Sequence, residues 1–138
     1  MMYNICIGGN FMKIDWINND KSSAVTIYNN NITLSKQAAS FFEDAFGVAV
    51  GIDVDTNNII IQKIYKEDFE KQSIDDNNLH KIEIKSSYGR INSKNLVTKL
   101  SEKLGLSFDK NQSYKFNAKW NTGYKMLIVS TNGKENEE

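Results

Sequence analysis

The sequence predicts an α+β fold: two tandem strand-turn-strand-helix-hairpin units that share one barrel-like core. Three observations predict it. Residues 35–47 (SKQAASFFEDAFG) recur without a gap as residues 93–105 (SKNLVTKLSEKLG). Ser35, Lys36 and Gly47 meet Ser93, Lys94 and Gly105, and apolar Ala38, Ala39, Phe42 and Phe46 meet Leu96, Val97, Leu100 and Leu104. Each copy is preceded by two short alternating segments and followed by a hairpin-like pair. Finally, 138 residues with 40% apolar side chains suffice for one core. A single unit of this size buries too little to stand alone, so the two must pack together.

The elements follow in chain order. Two readings of residues 1–11 stand side by side. Ile7-Gly8-Gly9-Asn10 can be encoded with GGAGG, a ribosome-binding sequence, which would make Met12 the start; alternatively YNICI is an edge strand. MKIDWI (12–17) sets Met12, Ile14 and Trp16 on one face of a short strand, and 18–23 is a polar loop. The first unit spans 24–64. AVTIY (24–28) and ITL (32–34) are strands around an asparagine turn, because asparagine tolerates left-handed backbone. Ser35 caps a helix reaching Gly47, with Ala38, Phe42 and Phe46 as its stripe and Gly47 as a positive-φ stop. VAVGIDV (48–54) and NIIIQKI (58–64) form a hairpin.

Residues 65–79 are an acidic connector in which Phe69 anchors a short helix. The second unit spans 80–130. HKIEIK (80–85) and Ile91 flank the turn SSYGR (86–90), and Asn92 or Ser93 caps a helix stopped by Gly105. SYKFNAKW (113–120) alternates Tyr114, Phe116, Ala118 and Trp120, then turns at 121–123 into YKMLIVS (124–130). The tail 131–138 is polar and expected to be disordered.

The formal net charge is zero, but it is unevenly spread. Residues 24–64 carry net −2 and residues 65–80 net −3. Residues 81–130 set ten bases against Glu83, Glu102 and Asp109, net +7. A basic half beside an acidic half suits a polyanionic partner for the former. Cys6 is alone, so no intramolecular disulfide can form, and a cytoplasmic location is expected. No apolar run is long enough for a membrane helix, and no signal peptide is evident.

The succession of strand, turn, Gly89-Arg90-Ile91, cap, helix, Leu104-Gly105-Leu106 and hairpin resembles the AbrB/MraZ-like swapped-hairpin DNA-binding family. In the first unit the matching residues are Ile32-Thr33-Leu34, Phe46-Gly47-Val48 and Asn58-Ile59-Ile60-Ile61. The chain departs from the family pattern at Ser86, where an acid is usual, and at Asn30-Asn31, which stands where Gly-Arg would. Neither helix is preceded by the usual proline, and each is expected to be about a turn longer. The resemblance implies DNA contacts at Arg90 and its turn, in the second unit alone.

Arg90 is the chain's one arginine, and its guanidinium can fork to guanine or phosphate. Lys85, Lys94 and Lys99 are expected to hold phosphates, with Ser87 and Tyr88 as neutral donors. Against this stands a surface ion pair for Arg90 and a solvated face for the lysines. Lys36 and Lys94 open their helices, where a cation opposes the helix dipole unless an anion arrives. Asp53, Asp55 and Asn57 resemble the start of a calcium loop, but Asn58 replaces its glycine and Ile64 its glutamate, so a hairpin turn is the better reading. His80 has no second histidine or cysteine beside it. Trp120 reads as packing rather than as a stacking platform. The sequence therefore predicts no enzyme, cofactor or metal site. It predicts a DNA-binding transcriptional regulator of a bacterium or mobile element that self-associates. The alternative is a protein-interaction or inhibitor module that uses its acidic or hairpin surfaces on a protein partner.

Overall fold

The computed structural model describes residues 2–7, 10–15, 23–71, 75–109, 112–131 and 135–137. Two strands, β1 (Met2–Ile7) and β2 (Asn10–Asp15), pair antiparallel in a small sheet of their own. The second of these begins two residues earlier than the alternation at 12–17 suggests. Trp16, Ile17 and most of the loop 18–23 lie outside the described residues.

The remaining elements run in the expected order. They are β3 (Ala24–Ile27), β4 (Asn31–Ser35), α1 (Lys36–Ser40), β5 (Gly47–Ile52) and β6 (Ile59–Ile64). Next come α2 (Lys66–Glu70), a single 3-10 turn at Asp76–Asn78, β7 (Glu83–Ile84), β8 (Tyr88–Asn92) and α3 (Lys94–Leu104). The chain finishes with β9 (Ser113–Asn121), β10 (Met126–Val129) and β11 (Glu135–Glu137). The last strand pairs with the start of β9, so these tail residues are not the unstructured end the composition suggests. Among the described residues, no helix is long and apolar enough to cross a membrane.

The fold is α+β, built on one curled antiparallel sheet in the order β5-β6-β10-β9-β3-β4-β8-β7. This order interleaves the two units. The β3–β4 hairpin of the first sits between β9 and β8 of the second. The β7–β8 hairpin of the second in turn reaches from β4 toward β5, where His80 and Val48 exchange two backbone hydrogen bonds of 2.8 and 2.9 Å. The counterpart of this bridge is the 3.0 Å bond from Ala118 N–H to Ser23 C=O. The like strands meet about two centres. Thr33 faces Arg90, with Asn31 opposite Asn92 and Ser35 opposite Tyr88. Leu127 faces Ile61, with Ile128 opposite Ile60. Thr33, not Asn31, is therefore the first-unit counterpart of Arg90.

Strand alternation fills the interior, since successive side chains point to opposite faces. Val25, Ile27, Ile32, Leu34, Ile61, Ile91, Phe116, Leu127 and Val129 form its centre with Leu96, Val97 and Leu100 of α3. Ser93 caps α3 by accepting from Leu96 N–H at 3.2 Å, and Gly105 ends it in the left-handed region at φ 69°. Ser35 caps α1 in the same way, at 3.4 Å from Ala38 N, and also accepts from Ala24 N at 3.0 Å.

The first helix departs from expectation. It ends at Ser40 rather than near Gly47, and the chain continues in tight i→i+3 turns, with Phe42 N bonding Ala39 O at 2.9 Å and Ala45 N bonding Phe42 O at 3.1 Å. Aromatic docking explains the change. Phe42 is fully buried with its edge toward Trp120, while Phe41 stacks on the same indole at 4.7 Å. Such pairs add about 0.5–1.5 kcal/mol beyond area burial. The turns thus set two consecutive aromatics on one indole, and Phe46, expected in the core, is left 43% exposed against Phe69. Close by, Asp44 bonds the buried ammonium of Lys63. Burial disfavours that charge, but hydrogen bonds with Asp44 and Tyr65 outweigh it and hold the Lys63 pKa above its ordinary value.

Gly47 is not a positive-φ stop. It lies in β5, and a Cβ there would sit 2.7 Å from Leu79 Cδ1 and 2.9 Å from the His80 carbonyl oxygen. The glycine is required by the close approach of the β5–His80 seam. Gly47→Ala is expected to destabilise the protein by about 1–3 kcal/mol, because the backbone oxygen cannot give way. Urea unfolding would show a lower midpoint with an unchanged slope; an unaltered midpoint would show that the seam opens freely.

Candidate nucleic-acid interface

The residues singled out for DNA contact fall in two places. The first is the outer face of β7–β8. Lys85 N–H bonds Tyr88 C=O at 2.8 Å, which makes Ser86-Ser87 a two-residue turn with Ser87 exposed at its tip. Arg90 is not at that tip. It sits in the middle of β8, paired with Thr33 on one side and Glu83 on the other. Its neighbours Gly89 and Ile91 are buried, so alternation turns Arg90 outward. Gly89 lets α1 lie directly on β8, since a Cβ there would be 3.0 Å from that of Ala39.

Arg90 is half-buried. Its Cζ lies 4.9 Å from the Tyr88 ring centroid, a cation–π arrangement. Its Nε is buried without a hydrogen-bond partner. Among the described residues, no carboxylate is within ion-pair distance of it. Glu83, directly across the strand pair, is engaged elsewhere: Asn92 Nδ2 donates to its Oε1 at 2.6 Å, and Lys85 Nζ is 3.8 Å from its Oε2. Tyr28, Asn31, Thr33, Tyr88 and Arg90 line an open cleft of about 370 Å3. The alternative of a surface ion pair for Arg90 is thus not met among the described residues, and its guanidinium lies against the Tyr88 ring instead. Lys94 is exposed in the first turn of α3, which contains no acid.

The second place holds Lys99. Together with Asn95 and Lys103 it follows the i, i+4, i+8 spacing along α3, and all three line a groove of about 500 Å3 between α3 and β5. Val50, Ile52, Leu96 and Leu100 form its apolar wall, and His80 lies within it. No lining residue is shared with the Arg90 cleft, so Lys99 belongs to a separate feature. The groove was not legible in sequence, because β5 and α3 belong to different units and meet only through the interleaving.

Asp53, Asp55 and Asn57 form the β5–β6 turn. Asp53 Oδ1 accepts from Asp55 N–H at 2.9 Å, and Asn57 adopts φ 61°. Among the described residues there is no group of three or more histidine, cysteine or acidic side chains placed to hold a metal ion. Trp120 packs on Phe41 and Phe42, as a hairpin-packing residue should.

Comparison with known proteins returns no match: no family model, no curated protein and no solved structure matches the chain.

His80 is the chain's single histidine. Burial, and secondarily the Lys99 cation, push its pKa below the ordinary 6.5. The folded state therefore favours the neutral imidazole. The His80 contribution to stability is present above pH 6.5 and is lost as pH falls through the folded pKa. Proton NMR of this one imidazole should show a midpoint below 6.5, and Lys99→Gln should move it upward. A midpoint at or above 6.5 would contradict the half-buried placement.

Proposed function

We propose that this chain is a cytoplasmic DNA-binding protein of the AbrB/MraZ-like swapped-hairpin type, a transcriptional regulator that approaches DNA with its second unit. One observation carries the reading: Arg90, set over the Tyr88 ring at 4.9 Å, has no acidic partner among the described residues and opens onto a solvent-exposed cleft. A planar fork held in this way suits bidentate contact with a phosphate or a guanine edge. Two further features support it. Residues 81–130 keep a net charge of +7, and Lys94 follows Arg90 across the β8–α3 junction. The interleaved units resemble two copies of one hairpin-helix-hairpin element merged in a single chain. Lys85, Arg90 and Lys94 serve as the contacting cations, with Ser87 and Tyr88 as neutral donors. Lys99 is assigned elsewhere, because it lines the α3–β5 groove. Self-association would raise affinity by linking two such weak contact sets.

Fluorescence titration with a labelled duplex tests this. If three phosphates are contacted, raising salt from about 50 to about 200 mM should weaken binding about 40-fold. Arg90→Ala should cost about 1–3 kcal/mol. Absence of binding even at low salt removes the proposal.

A second reading, a protein-interaction module, is favoured by the exposed Val54 and Tyr124, which stand 88% and 71% accessible at two hairpin turns. Retention of one protein partner after nuclease treatment, with no duplex binding, would select it.

A further inference from the structure

The two units are not equally closed. Their C-terminal hairpins begin with β5 and β9, which are counterparts in the interleaved sheet. The ladder of β9 with β3 covers four residue pairs, Ala24–Asn117 through Ile27–Tyr114. Among the described residues, the corresponding side of β5 is bonded at Val48, through His80, as Ala118 is to Ser23, and the ladder that continues over 114–117 of β9 has no equivalent on β5. Before His80 the chain turns away in the 3-10 turn at Asp76–Asn78, which Asp75 caps with a 3.0 Å bond to Asn77 N–H. Among the described residues, the rest of the β5 edge has no backbone partner on that side.

Strand geometry identifies which groups are open. Val48 directs its N–H and C=O at His80, so its neighbours two and four residues on direct theirs the same way. These are Val50 and Ile52. Neither has a backbone partner on that side among the described residues, and both side chains are only half-buried. The open edge faces the 500 Å3 groove, whose other wall is Leu96 and Leu100 of α3. The rim of α3 carries Lys99 and Lys103, and among the described residues no carboxylate lines the groove. An unpaired edge, an apolar trough beside it and a cationic rim are the three elements of strand addition: ladder bonds, side-chain pockets and charge selection.

We propose that this groove binds an extended acidic peptide, which adds as a strand to the Val50–Ile52 edge of β5. Alternate apolar side chains of the peptide would fill the trough against Leu96 and Leu100. Its carboxylates would meet Lys99 and Lys103. The site is separate from the Arg90 cleft, and the proposal does not depend on DNA binding.

The test uses the full chain and a blocked heptapeptide of alternating valine and glutamate, followed by amide NMR. Binding should slow hydrogen exchange at the Val50 and Ile52 amides. The double variant Lys99→Glu/Lys103→Glu should weaken binding roughly tenfold or more while its thermal midpoint stays near that of the parent. Arg90→Ala should leave peptide affinity unchanged, which separates this site from the DNA proposal. The same peptide with lysine in place of glutamate should bind at least tenfold more weakly. The inference is overturned by no binding at millimolar peptide, by binding that leaves both amides exchanging as before, or by equal affinity for the lysine peptide. Loss of binding in Arg90→Ala would equally overturn it.

Discussion

The architecture depends on β9. Its first half pairs with β3 and its second half with β10, so one strand belongs to both parts of the curled sheet. At the changeover, Asn117 C=O accepts from Ser130 N–H at 2.9 Å, and Ala118 N–H donates to Ser23 C=O at 3.0 Å. Tyr114, Phe116 and Ala118 point inward along its length, and the Tyr114 hydroxyl donates to Ser107 C=O at 2.7 Å. The hydroxyl thereby meets a partner where an unpaired one would be costly. Everything else is arranged around this strand. The hairpin before α1 lies on one side of it, β10 and then the β5–β6 hairpin lie on the other, and Trp120 near its end receives Phe41 and Phe42.

Interleaving two similar units makes each depend on the other. Neither has a complete sheet of its own, because the neighbours of β3–β4 are both strands of the second unit. Long-range pairing of this kind carries a loop-closure cost that only the joint core repays. It also places residues from distant parts of the chain on common surfaces. Tyr28 and Asn31 meet Tyr88 and Arg90 in one cleft, and Val50 and Ile52 meet Leu96 and Lys99 in another.

The duplication is symmetric in topology and asymmetric in chemistry. Thr33 and Arg90 are counterparts at the centre of the β4–β8 pairing, yet only one is a cation. The β9 edge is covered by four residue pairs and the β5 edge by one bridge. Both differences arise in the second unit's first strands. There, the β7–β8 hairpin carries the charge, and the short β7 fails to extend along β5.

The sequence by itself determined the order of the elements from β3 to β10, the cap at Ser35, the choice of Asn92 or Ser93 for the second cap, the stop at Gly105 and the inward faces of β3 and β9. These are local properties: alternation, capping and left-handed backbone are written in neighbouring residues. It also determined that the basic charge sits in the second unit and that Arg90 is its distinctive side chain. Tertiary structure alone decided the remainder. The first helix was cut to five residues because Phe41 and Phe42 both dock on Trp120, which is far away in sequence. The requirement at Gly47 came from Leu79 and His80, not from its own φ. Arg90 became a mid-strand residue rather than a turn tip because Ser86-Ser87 already close the hairpin. Lys99 was drawn away from it because it faces the groove that α3 lines together with β5. Each of these outcomes depends on which strands become neighbours, and that choice is made by burial of the whole core rather than by any single segment.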